Sequence, residues 1–238
     1  MKTNTIAPYY KGFRFPPEIM SHAVWFYFRF SLRFRDVEEL LAQRGIVVTS
    51  ETIRQWGLQF GQTSANEWRH RRPHCGDKWH MDEVVLTIRG KKQYLWRAVD
   101  QHGNVLDILV QSRRNRHAAK RFFRKLLKEL QYTPRVIITE KLKSYGAAKR
   151  EVLPGVEHRQ HKGLNNRAEN SHQPTRLREK KMRKFKSAQH AQRFLAVFSH
   201  ITGHFQRRRH HLNAGEYRAM LQDRFLVWSE VTTVQMVA

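Results

Sequence analysis

Between Trp79 and Thr139 the hydrophobic period of the chain changes twice, and that order of periods leaves few folds open. Trp79 to Ile88 (WHMDEVVLTI) is rich in β-branched and apolar residues, Gly90 to Lys92 supplies a turn, and Tyr94 to Val99 (YLWRAV) reads as the return strand. Asp100 to Gly103 makes a second turn before Val105 to Val110 (VLDILV), the third strand of an antiparallel meander. The period then becomes helical: from His117 to Leu130, Ala118, Phe122, Leu126 and Leu127 share one stripe. Beyond Pro134 the run Arg135 to Thr139 (RVIIT) is short and almost wholly apolar, as suits a strand buried inside a sheet. Two helices follow: Leu164 to Lys181, which Pro174 kinks or splits, and His190 to Phe205, with Phe194, Val197, Phe198 and Ile201 on one stripe. The order predicts an α/β domain on a mixed sheet covered by helices, with no internal repeat.

Ahead of that domain, Pro17 to Gly61 is helical throughout. After an apolar helix from Ile19 to Phe28, Val37, Leu40 and Leu41 recur at helical spacing and Gly45 interrupts. Ile53, Trp56 and Phe60 then repeat behind the capping candidates Thr49 and Ser50. Two short helices about a glycine turn predict a helix-turn-helix, whose second helix leaves Glu51, Arg54, Gln55 and Gln59 on a free face. Arg54 and Gln55 have side chains suited to base edges. The segment from Glu67 to Pro73 is basic and loses its period, as a linker does. The expected boundaries are residues 1–66 for the DNA-binding module, 67–76 for the linker, 77–205 for the α/β core and 206–238 for a basic tail with a helix.

Lysine and arginine number 45 against 20 acids, and the resulting net charge of +25 calls for a polyanionic partner. An anionic membrane is the lesser candidate, because the aromatic stretch Trp25 to Phe30 is broken by Arg29 and falls short of the ~20 residues that span a bilayer. Met1 to Arg14 lacks the pattern of a secretory signal, so a cytoplasmic protein is expected. A single cysteine, Cys75, forms no internal disulfide and has no second thiolate for a zinc finger; His74 and His80 beside it read as structural. Basic side chains concentrate in two runs, eight between Arg113 and Lys128 with no acid, and seven between Arg176 and Lys186 with one glutamate. Such runs track phosphates, although some of their members must be ordinary solvated helix faces. Arg207, Arg208 and Arg209 with His210 and His211 form a further cluster of generic contact.

Three acids stand out against this background. Asp82 sits inside the first strand, where a charge must be compensated. Glu140 ends the buried fourth strand, and Glu169 rides the helix that begins Asn165-Asn166-Arg167. If the first and fourth strands are neighbours, their acids face one another and the helix can bring the third over the same edge. Three gathered carboxylates repel, and divalent cations relieve the repulsion. Two Mg2+ ions about 3.5–4 Å apart can activate a water or 3′-hydroxyl and stabilise the leaving oxygen of a phosphodiester. Arg176 lies two helical turns beyond Glu169 and would face a phosphate on an unbroken helix.

The segments WHMDEV, YLWRAVD, VIITEKLKSYGAA, EHRQHKGLNNRAENSHQPTR and REKKMRKFKS closely resemble the insertion-sequence-six family of bacterial transposases, over almost the whole chain. The resemblance implies a ribonuclease H-like core, a mixed five-stranded sheet flanked by helices and preceded by an all-α helix-turn-helix, with an Asp-Asp-Glu triad. It also implies Mg2+ or Mn2+ as a pair of ions, and double-stranded DNA as partner, both the element's terminal inverted repeats and the target. A homodimer or larger assembly on DNA, cointegrate formation and a place on the bacterial nucleoid follow in the same way. Asp82 and Glu169 match the family's first and third acids. The second departs: where the resembling proteins read Thr-Asp-Lys, this chain reads Thr139-Glu140-Lys141. A side chain one methylene longer displaces the carboxylate beyond the ~0.5 Å such sites tolerate, so impaired cleavage is expected. The residues expected on DNA are Arg54, Gln55, Arg113, Arg114, Lys141, Arg176, Arg178, Lys180, Lys181, Arg183 and Lys184. Competing readings are an inert DNA-binding regulator, a nuclease that hydrolyses without joining, and a basic scaffold without activity.

Overall fold

A computed structural model describes residues 10–71, 75–182, 185–205 and 212–232. The chain divides into two compact units, Arg72–Ala196, and Met1–Arg71 together with Val197–Ala238.

The first unit opens with α1 (Pro17–Arg29), α2 (Phe34–Ala42) and α3 (Ser50–His70). Gly45 turns the chain after α2 at φ 75°, a conformation open to a residue without Cβ. Thr49 caps α3 by accepting from the Thr52 N–H at 3.2 Å. Val37, Leu41, Ile53, Trp56 and Phe60 are buried as the periodicity requires, whereas Leu40 stands 43% exposed, one position off the stripe. The expected short second helix is instead 21 residues long and enters the stretch read as linker as far as His70, because Trp68 extends its apolar face and is itself buried. Gly61 lets α1 and α3 close together: a Cβ there would lie 2.8 Å from Phe28 Cε2 and 3.3 Å from Val197 Cγ1. A late helix, which we label α9 (Ala214–Thr232), belongs to this unit, with Trp228 5.3 Å from Trp68 and Phe225 5.0 Å from Trp25 between ring centroids. The segment expected as a tail thus contributes a helix to the core of the helical unit.

The second unit contains the five-stranded sheet, ordered β3-β2-β1-β4-β5. β1 (Lys78–Ile88), β2 (Lys91–Asp100) and β3 (Val105–Gln111) form the antiparallel meander. Arg89 and Gly90, at φ 50° and 75°, make the first turn, since a two-residue hairpin of matching twist needs two left-handed positions. Asp100 shapes the second by accepting from the backbone N–H groups of His102 and Asn104. α4 (Arg116–Leu130), capped by the Asn115 side chain, returns the chain so that β4 (Val136–Thr139) pairs parallel with β1. α5 (Lys143–Val152) then leads to β5 (Glu157–Gln160), parallel to β4. Trp79, Met81, Trp96, Phe122, Phe123 and Ile137 fill the core on the α4 and α5 side. Past a 3-10 turn at Lys162–Leu164 come α6 (Asn166–Ser171), α7 (Gln173–Lys181) and α8 (Ala188–Phe205). An antiparallel meander extended on one side by two parallel strands is the ribonuclease H-like arrangement that the resemblance implied.

Candidate active site

Alternation along β1 sends Trp79 and Met81 into the core beneath α4 and α5, and therefore sends His80 and Asp82 to the opposite face. β4 runs beside β1 with Met81 opposite Thr139, and one further step of that register sets position 82 beside position 140. Alternation from Ile137, which is in the core, puts Glu140 on Asp82's face as well.

Glu169 arrives from a different direction. Asn165, fully buried, donates through Nδ2 to the Met81 carbonyl at 3.0 Å and so fixes the start of α6 to β1. Arg97 lies directly opposite Asp82 in the β1–β2 pair, is 2% exposed, and donates from Nη1 to the Ser171 carbonyl and from Nη2 to Thr175 Oγ1 at 2.7 Å. One guanidinium thereby ties the strand beside Asp82 to α6, which carries Glu169, and to α7 after it. The helices break at His172, with Pro174 in the first turn of α7, where its missing N–H costs nothing.

Asp82 is 8% exposed, and burial pushes its carboxyl up to about 7, with the charges of Glu83, Glu140 and Glu169 adding to the rise. The three expected acids therefore share one electrostatic field centred on Asp82. Glu140 and Glu169 are half-buried. Among the described residues no group of three or more His, Cys, Asp or Glu side chains is gathered closely enough to hold a metal ion as the side chains stand. The donors are carboxylate oxygens in a desolvated setting whose mutual repulsion a divalent cation would relieve, so the acids fit such an ion by charge and by oxygen chemistry. Arg97, fully enclosed, is lowered by burial to about 10 while the charge of Asp82 raises it. Glu83, one residue on and on the other face, is paired with Arg114 at 2.5 Å.

His172 completes the cluster. Its ring is 1% exposed, and Nε2 lies 3.5 Å from Asp82 Oδ2. Burial first, then the charges of Arg97 and Arg176, hold the imidazole well below its usual pKa, so it is neutral and the contact is not an ion pair. Sequence reasoning missed His172, Arg97, Asn165 and Thr175. Arg97 carried the same mark as Asp82, a charge inside an apolar strand; the others carried none.

The residues expected on DNA are placed unequally. Gln55 is exposed on α3, while Arg54 is held by Glu51 at 2.6 and 2.8 Å. Arg113, Lys141, Arg176, Lys180 and Lys181 are exposed, and Arg113 lines an open cavity of about 500 Å³ with His117 and Arg121. Arg114 is exposed but tied to Glu83. Arg178 corrects the expectation: it is fully buried and its guanidinium sits 5.4 Å from the Phe194 ring centroid, because a position on the inner face of α7 must pack. Arg183, Lys184 and the cluster 207–211 lie outside the described residues. In the basic run of α4, Arg116 and Lys120 pair with Glu151, and Lys125 with Asp107. Among the described residues no helix is long and apolar enough to cross a membrane.

A ribonuclease H-like sheet with an acid on its central strand and two more in its field is the frame of the DDE class of DNA-cutting and DNA-joining enzymes. Residues 76–208 match the family model described as a DDE domain, of the IS240 transposase type, and the chain belongs to this family, the DDE transposases of the insertion-sequence-six group. It is 29% identical over 185 residues to the transposase for insertion sequence-like element IS431mec of Staphylococcus aureus, covering 76% of this chain and 82% of that protein. The same figures describe its likeness to the transposase for insertion sequence element IS257 in transposon Tn4003, also of Staphylococcus aureus. A solved structure, the simian T-cell lymphotropic virus intasome in complex with PP2A regulatory subunit B56 gamma, is similar at a TM-score of 0.39 and 13% identity over 55% of this chain, which spans half of the matched chain.

Proposed function

We propose that this transposase binds the terminal inverted repeats of an insertion sequence and cuts and joins DNA there, with Asp82, Glu140 and Glu169 as the catalytic acids. The observation that supports this reading is the electrostatic reach of Glu140 and Glu169 onto a buried Asp82. The three acids would hold two Mg2+ or Mn2+ ions, which supply an activated oxygen nucleophile and stabilise the leaving oxygen. The chain's own contribution is to desolvate Asp82, to anchor α6 through Asn165 and Arg97, and to leave Lys141, next to Glu140, and Arg176, whose charge reaches His172, exposed for phosphate contact. The exposed face of α3, led by Gln55 and Arg54, reads the repeat. Arg113, Lys180 and Lys181 hold the backbone of end or target DNA. Joining yields a cointegrate, performed by a dimer or larger assembly on the bacterial nucleoid.

Glu140 departs from the resembling proteins by one methylene, and we infer that strand cleavage is impaired by it. In the Glu140→Asp variant, cleavage of end-containing DNA with Mg2+ is expected to rise by one or more orders of magnitude while DNA affinity is unchanged; equal cleavage before and after removes the inference. The same substitution favours a second reading, a DNA-binding regulator with an inert core. That reading requires repeat binding that is indifferent to EDTA and no joined product from a labelled 3′-hydroxyl end in either variant.

A further inference from the structure

His172 is a buried imidazole with neither ring nitrogen hydrogen-bonded, at the edge of an acidic cluster. A neutral imidazole offers one N–H and one lone pair, and enclosing both without partners is unfavourable unless something else completes them. Asp82 does not supply the hydrogen bond: Nε2 and Oδ2 are 3.5 Å apart, beyond the ~2.7–3.2 Å of an N–H···O bond. That separation has another meaning. Two donors bound to one cation at ~2.0–2.2 Å stand about 3.0–3.5 Å from each other as their angle opens from octahedral to tetrahedral.

The backbone supports the same arrangement. The His172 N–H donates to the Glu169 carbonyl at 3.1 Å, so the two residues occupy a single helical turn, three positions apart. A Glu-x-x-His turn projecting both side chains to one side is a device that two-metal carboxylate proteins use. Arg97 holds the turn from both flanks, through the Ser171 carbonyl before His172 and the Thr175 hydroxyl after it. The backbone that carries His172 is thus held by the same clamp that holds the end of the helix bearing Glu169.

We propose that His172 is a ligand, through Nε2, of a divalent cation held by Asp82, giving the acidic site one nitrogen donor. The proposal rests on the reading of Asp82 as a metal-binding acid. It makes the site softer than one of oxygens alone and shifts its preference from Mg2+ towards Mn2+ and Co2+.

Mn2+ is added to the purified full-length chain, without DNA, and the bound ion is examined by pulsed electron paramagnetic resonance for 14N modulation, alongside His172→Gln, His172→Asn and Asp82→Asn. The wild type is expected to show nitrogen modulation that both His172 variants lose. Affinity in those variants should fall by at least the ~10-fold that loss of a mere supporting partner costs. Bound Mn2+ that Asp82→Asn releases but that shows no nitrogen modulation, a result needing no His172 variant to fold, overturns the ligand and leaves the acidic core standing. Modulation that persists unchanged in a folded His172 variant does the same. Mn2+ binding indifferent to Asp82→Asn overturns both readings.

Discussion

At the scale of single residues, the site is assembled against the preference of its own groups. Asp82 is the plainest case: its folded-state pKa is about 7 against an ordinary value of 3.8, so the folded chain binds a proton there that the unfolded chain has released. The sign follows from linkage. Stability is lost as pH rises from the unfolded value through about 7, and no more is lost above it. A rise of that size corresponds to about 4 kcal/mol as an upper bound. In EDTA, Asp82→Asn is therefore expected to raise the unfolding free energy at pH 8 by up to a few kcal/mol and at pH 5 by clearly less; denaturant titrations at the two pH values measure it, and an equal gain at both would show that burial of charge is not the cause. Added Mg2+ is expected to stabilise the wild type and not the variant. Asp82 was legible because a charge in an apolar strand has few innocent explanations. His172 was not, since a histidine in a polar helical stretch looks like any surface residue until the fold encloses it.

Among elements, the meander, α4 and the buried β4 were legible because each carries its period in its side chains, two for a half-covered strand and 3.6 for a helix. α5 and β5 were not. β5 is the polar run Glu157-His158-Arg159-Gln160 at the sheet's edge, with no apolar residue to mark it, and α5 buries only Tyr145 and Ala148. The backbone ladder to β4 is what specifies β5. Two contacts between elements are testable. Arg97 joins β2 to α6 and α7 with a forked pair of hydrogen bonds that a lysine ammonium cannot reproduce. Arg97→Lys is expected to cost about 1–3 kcal/mol and to speed amide exchange across residues 165–181 more than in α4; uniform acceleration would mean that the clamp is not local. In the helical unit, Gly61→Ala gains up to ~1 kcal/mol of helix propensity but drives a methyl into Phe28, and overpacking of ~1–3 kcal/mol wins. A thermal melt of the variant should fall by a few degrees, and a rise would show that Phe28 swings aside without cost.

For the whole molecule, the question is how a net charge of +25 is divided between holding DNA and reading it. Part of the basic complement is already engaged within the chain: Arg54 with Glu51, Arg114 with Glu83, Arg116 and Lys120 with Glu151, Lys125 with Asp107, and Arg178 enclosed in the core. Exposed side chains such as Arg113, Lys180 and Lys181 remain for phosphates. Each phosphate neutralised contributes about −0.9 to the slope of log affinity against log salt. Replacing Arg113, Lys180 and Lys181 together with glutamine is therefore expected to flatten that slope by up to about 3 while leaving the preference for terminal repeats over random DNA unchanged. Gln55 and Arg54 should behave oppositely. Their alanine variants are expected to lower the preference by about 1–3 kcal/mol per lost base contact with little change in slope, and Arg54 must leave Glu51 to make its contact. Binding isotherms on both DNAs across a salt series separate the two. If the glutamine variants alter preference while the alanine variants alter only the slope, recognition resides in the α/β unit and α3 is merely a basic surface.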